Sequence, residues 1–323
     1  MTPLQFETQY QADWDELETL LEQLKQRSAA RETVRAERLA SLYRRACEQL
    51  ALARARAYPA HIVERLNQLT ADAHQAIYQR REFGFKRLWQ LIAVDFPLAV
   101  RAHRRYVWLS TAVFVVPLVT LGLLVYFMPE LILALVDPLT AAQFEEMYAR
   151  DAEALGRTRD AGTDWAMFGY YIRNNISVGF QCFASGLFAG IGSLFFLAYN
   201  GAFGGAIAGY LTERGLGPTF YSFVVTHGAF ELPAIVLSGA AGLRLGHALV
   251  APGRRTRRDA LVLAAHESIV LVYGVVGLLV IAAAIEAFWS SAQWIPLPLK
   301  YGVAACCWLA VLVYLVSQGR HAS

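Results

Sequence analysis

The sequence predicts an all-α, polytopic helical membrane protein with broken or re-entrant segments and an N-terminal cytoplasmic helical bundle. Hydrophobic residues make up 56% of the 323 residues and charged residues 17%, against roughly 25% charged in an average soluble protein. Long apolar stretches begin after residue 105, whereas the residues before them show amphipathic helical spacing. Between residues 171 and 250 the apolar sequence is interrupted by ionisable residues, which lipid-facing helices rarely carry.

Composition excludes several functional classes. The net charge of only +3 gives no global field that would recruit nucleic acid. The cysteines show neither CxxC spacing nor pairing across an exported loop, so we expect no disulfide framework, no metal site and no cofactor; they are Cys47, Cys182, Cys306 and Cys307. No basic segment followed by a short apolar core opens the chain, so we expect no cleaved signal peptide and a cytoplasmic N-terminus.

Residues 1–84 are predicted to form a soluble cytoplasmic domain of three amphipathic helices. Apolar residues recur at spacings of three and four around Trp14, Leu50 and Leu66. Pro59 fits the first turn of the third helix, where its missing N–H is tolerated. The opposite face is rich in arginine, interleaved with glutamate, and predicts a solvated, salt-paired surface rather than a nucleic-acid site; it carries Arg31, Arg35, Arg38, Arg44, Arg45, Arg54 and Arg56.

Residues 85–105 are predicted to form an amphipathic linker helix at the membrane interface. Phe85, Leu88, Trp89, Ile92 and Phe96 share one apolar face. The alternative is a last helix of the soluble domain, packed on its core. Basic residues at 101–105 directly precede an apolar run, so the positive-inside rule predicts that the first span enters the membrane from the cytoplasm.

Residues 106–323 are predicted to form the transmembrane domain. The predicted spans are 106–128, 176–198, a short or broken 201–211, 220–250 with a break near Pro233, 261–288 and 299–316, with an extracytoplasmic loop over 129–170. That loop exceeds an ordinary connection, and we expect a helix around 141–154 in it, either as a partner surface or as a plain spacer.

The basic sequence GRRTRR at 253–258 is a strong cytoplasmic marker, and reaching it from an outer loop takes an odd number of crossings. Either residues 201–211 form a short helix that still crosses, or one segment folds back as a re-entrant hairpin. Both solutions place the C-terminus in the cytoplasm. A five-span arrangement ranks second because it leaves either GRRTRR or the C-terminus outside.

Small residues recur every four positions in the transmembrane domain and predict close helix packing. They are Gly186 and Gly190; Gly201, Gly205 and Gly209; and Ser238, Gly242 and Gly246. These rows join helices either within one chain, which we favour, or across a homodimer.

Ionisable and amide residues inside the apolar segments form a candidate intramembrane polar site: Asn200, His227, Glu231, Arg244, His247 and Glu286. His227 and Glu231 are four residues apart, so they lie on one face of a helix. With His266 and Glu267, these residues could form a polar path for protons or ions. Alternatively, Glu231 pairs with Arg244 or with a helix N-terminus and fixes a broken-helix junction. His247, His266 and Glu267 then lie at the cytoplasmic rim. No catalytic residue is assigned, since HGAFE lacks the second histidine of HExxH and GxSxG is absent.

Three sequences together resemble the stage II sporulation protein M family of integral membrane proteins: NNISVGFQCFASGLFAGIGSLFFLAYNGAFGGAIAGYL, HGAFELPAIVLSGAAGLRLGHALVAPG and the later IEAF. The signature positions are Asn200, Gly201, His227, Gly228, Glu231, Pro233, Gly242 and Gly246. The resemblance implies a membrane anchor that gathers peptidoglycan-degrading enzymes. The added N-terminal domain is similar to versions from organisms that make no spores, which implies association with RDD-type membrane proteins and MoxR-type ATPases rather than sporulation.

We therefore expect a non-enzymatic scaffold in the bacterial inner membrane, in contact with membrane lipid, that binds envelope or cell-wall remodelling proteins. An ion- or proton-linked transporter or channel using His227 and Glu231 is the alternative. An intramembrane hydrolase is the third reading.

Overall fold

The computed structural model describes residues 1–25, 32–78, 85–149, 161–292 and 294–319, and within these ranges the chain is all-α without a strand. It divides into two compact units, Met1–Arg87 and Leu88–Ser323. Each unit is described by itself below.

The N-terminal unit contains helices α1 (Pro3–Lys25), α2 (Glu32–Ala55) and α3 (Ala60–Tyr78). Their apolar faces meet in one core around Phe6, Trp14 and Leu66. Inside this core the Trp14 indole Nε1 donates a 2.7 Å hydrogen bond to Gln49 Oε1. Pro59 directly precedes α3, and its carbonyl accepts the Ile62 amide, so the predicted turn is where the sequence placed it.

Two arginines of the predicted face are paired with acids across helices, whereas Arg54 Nη2 donates a 2.6 Å hydrogen bond to Asn67 Oδ1. Arg38 Nη2 lies 2.5 Å from Glu16 Oε2, and Arg45 Nη2 lies 2.8 Å from Asp13 Oδ2. The Arg38 hydrogen bond holds the pKa of the Glu16 carboxyl below its usual range. Arg31 and the side chain of Arg35, which we predicted on this face, lie outside the described residues.

The remaining helices are α4 (Phe85–Gln90), α5 (Phe96–Ala102), α6 (Arg104–Phe127), α7 (Pro138–Tyr148), α8 (Ala161–Ala184), α9 (Ile191–Glu213), α10 (Gly217–Val250), α11 (Arg257–Ile285) and α12 (Leu297–Ser317). A π-helical segment, Leu91–Asp95, joins α4 to α5, and a second, Glu286–Ser290, extends α11. Short 3₁₀ helices lie at Pro129–Ala134 and Ser185–Leu187.

From Ile92 onward, the segment before α6 packs on the membrane helices. The Phe96 ring occupies the space that a side chain at Gly274 of α11 would need. The Tyr314 hydroxyl of α12 donates a 2.6 Å hydrogen bond to the Ile92 carbonyl. Leu88 and Trp89 remain exposed.

The bundle has two distinct ends. Tyr106, at the start of α6, hydrogen-bonds His247 near the end of α10, so the arginines of 101–105 and 253–258 lie at one end, which we call the basic end. At the other end Tyr148 of α7 packs against Phe220 near the start of α10. We call this the α7 end.

The glycine row of α9 packs on α6 in parallel register. A Cβ at Gly201, Gly205 or Gly209 would overlap the carbonyl oxygen of Phe114, Leu118 or Gly122, respectively. Both helices advance by four residues from one contact to the next, so α9 runs from the basic end to the α7 end, as α6 does.

Helix α8 precedes α9 and joins it at the basic end, so α8 must run in the opposite direction, from the α7 end to the basic end. Two contacts of α8 support this direction. Trp165, near its start, packs on Phe288 at the α7 end. Gly186, just after its end, lies against the backbone of Gly242 towards the basic end. Helices α6, α8, α9, α10, α11 and α12 therefore all run between the two ends of the bundle.

The predicted span 176–198 is wrong, because a turn divides it. Helix α8 ends at Ala184 and α9 begins at Ile191. Ala189 and Gly190 between them have left-handed φ values of 54° and 83°. The turn is apolar, so hydropathy alone does not reveal it.

Residues 201–211 are correspondingly not a short or broken segment, because they belong to the continuous 23-residue α9. The break expected near Pro233 is also absent, because the 34-residue helix α10 continues through this proline. Packing on all sides can stabilise a membrane helix that contains an interior proline.

In the part of the chain that the structure describes, five helices are long and apolar enough to cross a membrane: α6, α9, α10, α11 with its π-helical extension, and α12. The described residues of the predicted 129–170 loop contain α7 and the first residues of α8. The helix expected around 141–154 begins earlier, at Pro138, where Asp137 caps it by accepting the Thr140 amide at 3.0 Å. Its predicted last residues lie outside the described residues.

Candidate functional site

A buried polar cluster joins α10 to the π-helical extension of α11. His227 Nε2 lies 3.8 Å from Glu231 Oε2, one turn further along α10. Glu286 completes the cluster, and one ligand-type atom from each of the three side chains lies within 4.8 Å of the others. His227 is only 4% exposed. These three members of the predicted polar site are therefore brought together.

The π-helical turn, together with α12, positions the α11 side of the cluster. Such turns insert one extra residue into a helix and often occur at functional sites. The Ser290 hydroxyl lies 3.0 Å from His227 Nδ1. The buried Lys300 ammonium donates a 2.8 Å hydrogen bond to the Ser290 carbonyl, which ties α12 to the same turn.

A further buried polar side chain, that of Asn175 on α8, lies beside the cluster, and sequence reasoning missed it. Asn175 is 1% exposed, and its Nδ2 faces the Glu286 carboxyl outside strict hydrogen-bond geometry. The NN pair at 174–175 inside an apolar segment was an available signal, because amides in membrane helices usually face protein.

Aromatic rings cover the cluster at the α7 end. The Phe223 ring lies 5.4 Å from the His227 ring, and the Tyr148 ring of α7 lies 6.2 Å from Phe223. Burial raises the pKa of the Tyr148 phenol, and the nearby Glu286 carboxyl raises it further. Tyr148 thus remains a neutral O–H group that closes the site.

A separate polar cluster lies at the basic end. Arg244 Nη2 lies 2.6 Å from Glu267 Oε2 of α11, while His247 bonds Tyr106. The predicted pairing of Glu231 with Arg244 is therefore wrong: each has its partner at a different level of α10. His266 is exposed on α11, one residue before Glu267.

A close-packed apolar layer separates the two clusters. Residues 234–243 of α10 carry no charge, and α11 carries none from 268 to 285. A Cβ at Gly239 would lie 2.5 Å from Leu197, and one at Gly242 would lie 2.7 Å from the Cys182 carbonyl oxygen. Asn200 donates to the Phe196 carbonyl of its own helix at 2.7 Å. Within the described residues the predicted polar path is thus interrupted.

Comparison with known protein families identifies the membrane unit. The family model described as "Stage II sporulation protein M" matches residues 107–291, more than half of the 323 residues. The chain belongs to the stage II sporulation protein M family. A second family model, a domain of unknown function (DUF8413), matches residues 4–79. No curated protein and no solved structure matches the chain.

The stage II sporulation protein M match runs from the first turn of α6 to the end of the π-helical extension of α11 and includes the three members of the buried cluster, whereas α12 lies beyond it. Together with the five apolar helices, family membership makes this chain an all-α, multi-pass membrane protein.

Proposed function

We propose that this stage II sporulation protein M family member is a non-enzymatic scaffold of the bacterial inner membrane. The basic end faces the cytoplasm together with the N-terminal unit, and α7 lies outside. The positive-inside rule supports this orientation, since the arginines before α6 and after α10 lie at the same end. Helix α8 then crosses as the sixth span, with Tyr171, Asn175 and Cys182 buried against its neighbours.

The observation that carries this proposal is the close-packed layer between the two polar clusters. Transport requires a polar path that opens alternately to both sides. Here Gly242 and Gly186 bring two backbones into direct contact in that layer, where a single Cβ does not fit. A rigid, close-packed bundle suits a protein that acts by holding partners in place.

Helix α7 offers the partner surface. On its inner face, Tyr148 packs against Phe220 of α10, and Glu145 Oε1 lies 3.3 Å from Arg214 Nε. Its outer face exposes Leu139, at 70%, together with Glu146. We propose that this outer face binds envelope proteins such as peptidoglycan hydrolases, and that the cytoplasmic unit binds partners of the RDD or MoxR type. Formation of a homodimer remains part of the proposal and is tested by detergent-corrected mass.

Partner recovery under cross-linking tests the scaffold. A Leu139→Arg, Glu146→Arg double variant should lose the envelope proteins that bind the outer face of α7, because both side chains point away from the bundle. Arg254→Ala, which is exposed at the basic end, is the matched control and should retain them. Unchanged recovery with the α7 variant would contradict the proposal.

The transporter alternative is tested with His227→Gln, Glu231→Gln in proteoliposomes. If the protein is a scaffold, the wild type and the double variant both retain their partners, and neither shows proton or ion flux. Flux in the wild type that this variant abolishes would instead establish transport. Turnover of a peptide or lipid that depends on Glu231 would establish the hydrolase reading.

A further inference from the structure

We propose that His227, Glu231 and Glu286 bind a divalent transition-metal ion, with Zn²⁺ as the best-matched ion, and that this ion fastens α10 to the π-helical turn of α11. The sequence predicted no metal site, because the cysteines lack metal-ligand spacing and HGAFE lacks a second histidine. Glu286 is 55 residues from Glu231, and the fold brings the two together. The proposal does not depend on the scaffold function.

The ligand set fits the chemistry. One imidazole and two carboxylates are a ligand set used for Zn²⁺ and related ions, with bonds of about 2.0–2.2 Å. Tetrahedral ligation at that bond length places ligand atoms about 3.4 Å apart. The His227–Glu231 separation is 3.8 Å, and the widest separation in the cluster is within 4.8 Å. Small side-chain rotations are enough to close the site, with one position left for water or a further ligand.

Ser290 prepares His227 for ligation. A metal-binding histidine generally uses its second ring nitrogen to hydrogen-bond a neighbouring group, which fixes the tautomer and the ring orientation. His227 Nδ1 lies 3.0 Å from the Ser290 hydroxyl, so it can donate its proton there. Nε2, which faces Glu231, then carries the lone pair that a metal requires.

Asn175 lies where it can support Glu286 as a ligand. Its side chain is almost completely buried, and its Nδ2 faces the Glu286 carboxyl outside strict hydrogen-bond geometry. When the Glu286 carboxylate turns to bind an ion, its second oxygen can accept this amide, which is the typical support for a metal-bound carboxylate.

Charge balance also favours a cation. Among the described residues neither Glu231 nor Glu286 forms an ion pair with lysine or arginine. Two carboxylates so close together cannot both be ionised in an apolar bundle without a compensating charge. The buried Lys300 ammonium bonds the Ser290 carbonyl and forms no ion pair with either carboxylate, whereas a divalent ion bound between them neutralises both.

The test measures metal bound to the full-length, untagged protein in detergent, after removal of bound metal with a chelator. We expect about one Zn²⁺ per chain and a rise in the unfolding temperature on Zn²⁺ addition. Glu231→Gln and Glu286→Gln should each abolish both effects. Asn175→Leu should weaken affinity by about 10- to 100-fold, as removal of a group supporting a ligand does.

His247→Gln and Glu267→Gln are the matched controls, since they remove the same residue types from the basic end. They should leave Zn²⁺ stoichiometry unchanged. Each variant must elute as the wild type does, so that loss of metal is not loss of fold. If the stripped wild type binds neither Zn²⁺ nor Mn²⁺, or if the Glu231→Gln, Glu286→Gln double variant binds as the wild type does, the site does not exist.

Discussion

Replacement of Gly205 by alanine tests the parallel packing of α6 and α9, on which the direction of α8 depends. The new Cβ would lie 2.7 Å from the Leu118 carbonyl carbon, whereas an ordinary carbon–carbon contact is about 3.5–4.0 Å. The two helices would therefore have to separate by roughly 1 Å. Overpacking of this kind costs about 1–3 kcal/mol, and the better helix propensity of alanine offsets about 1 kcal/mol.

Gly204→Ala is the matched control, because it changes the neighbouring residue of the same helix and its Cβ would meet nothing within 4 Å. The gain in helix propensity is common to both variants and cancels in their comparison. The difference in their free energies of unfolding should therefore be the overpacking cost alone, about 1–3 kcal/mol.

The assay is reversible unfolding of the full chain in mixed micelles, followed by tryptophan fluorescence. Gly205→Ala should unfold at clearly lower denaturant than Gly204→Ala. If the two variants are equally stable, α9 does not pack on α6 through this glycine row, and the direction assigned to α8 loses its support.

Three further outcomes are expected. In a cysteine-free background, Thr212→Cys should react with an impermeant maleimide only from outside intact cells, and Thr256→Cys only after permeabilisation; labelling of both from the same side would contradict the six-span arrangement. Gln49→Leu leaves the buried Trp14 indole N–H unpaired and should cost the N-terminal unit about 1–3 kcal/mol, measured by urea unfolding; an unchanged midpoint would contradict it. The Thr140 hydrogen bond lowers the pKa of Asp137 from 3.8, so the Asp137 cap stabilises α7 above that pH and is lost as the pH falls through the lower folded-state pKa. Hydrogen exchange at the start of α7 should accelerate over that pH range in the wild type. It should not accelerate there in Asp137→Ala, in which the first turn of α7 is already frayed at neutral pH.

Hydropathy was sufficient for the helices whose ends are marked by charge or proline. Helix α6 follows a basic segment, α11 follows GRRTRR, and α12 follows a proline, and each begins within a few residues of its predicted span. The α8–α9 junction has no such marker. Its residues are apolar, and the left-handed conformation at Gly190 is a backbone property that no hydrophobicity pattern encodes.

The candidate site likewise has features that the sequence predicts and features that only the tertiary structure reveals. The spacing of His227 and Glu231 on one helix follows from helical periodicity, so their proximity was predictable. Their meeting with Glu286 depends on the π-helical turn and on how α10 crosses α11, and both are tertiary properties. Ser290 was missed because a single hydroxyl in a membrane helix most often bonds its own backbone, whereas the adjacent amides of Asn174 and Asn175 were an available signal.

The division of α10 into polar ends and an apolar middle follows from the way membrane helices associate. Lipid supplies no hydrophobic force between helices, so close contact of small residues must hold them together. Gly239 and Gly242 provide that contact in the middle, where a charged side chain would prevent it. The ionisable residues are thereby confined to the two ends. At the α7 end, Tyr148 packs on Phe223, and Phe223 packs on His227. The proposed partner surface on α7 therefore contacts the proposed metal site through Phe223. An ion that fixes His227 would therefore also fix the platform that α7 presents to its partners.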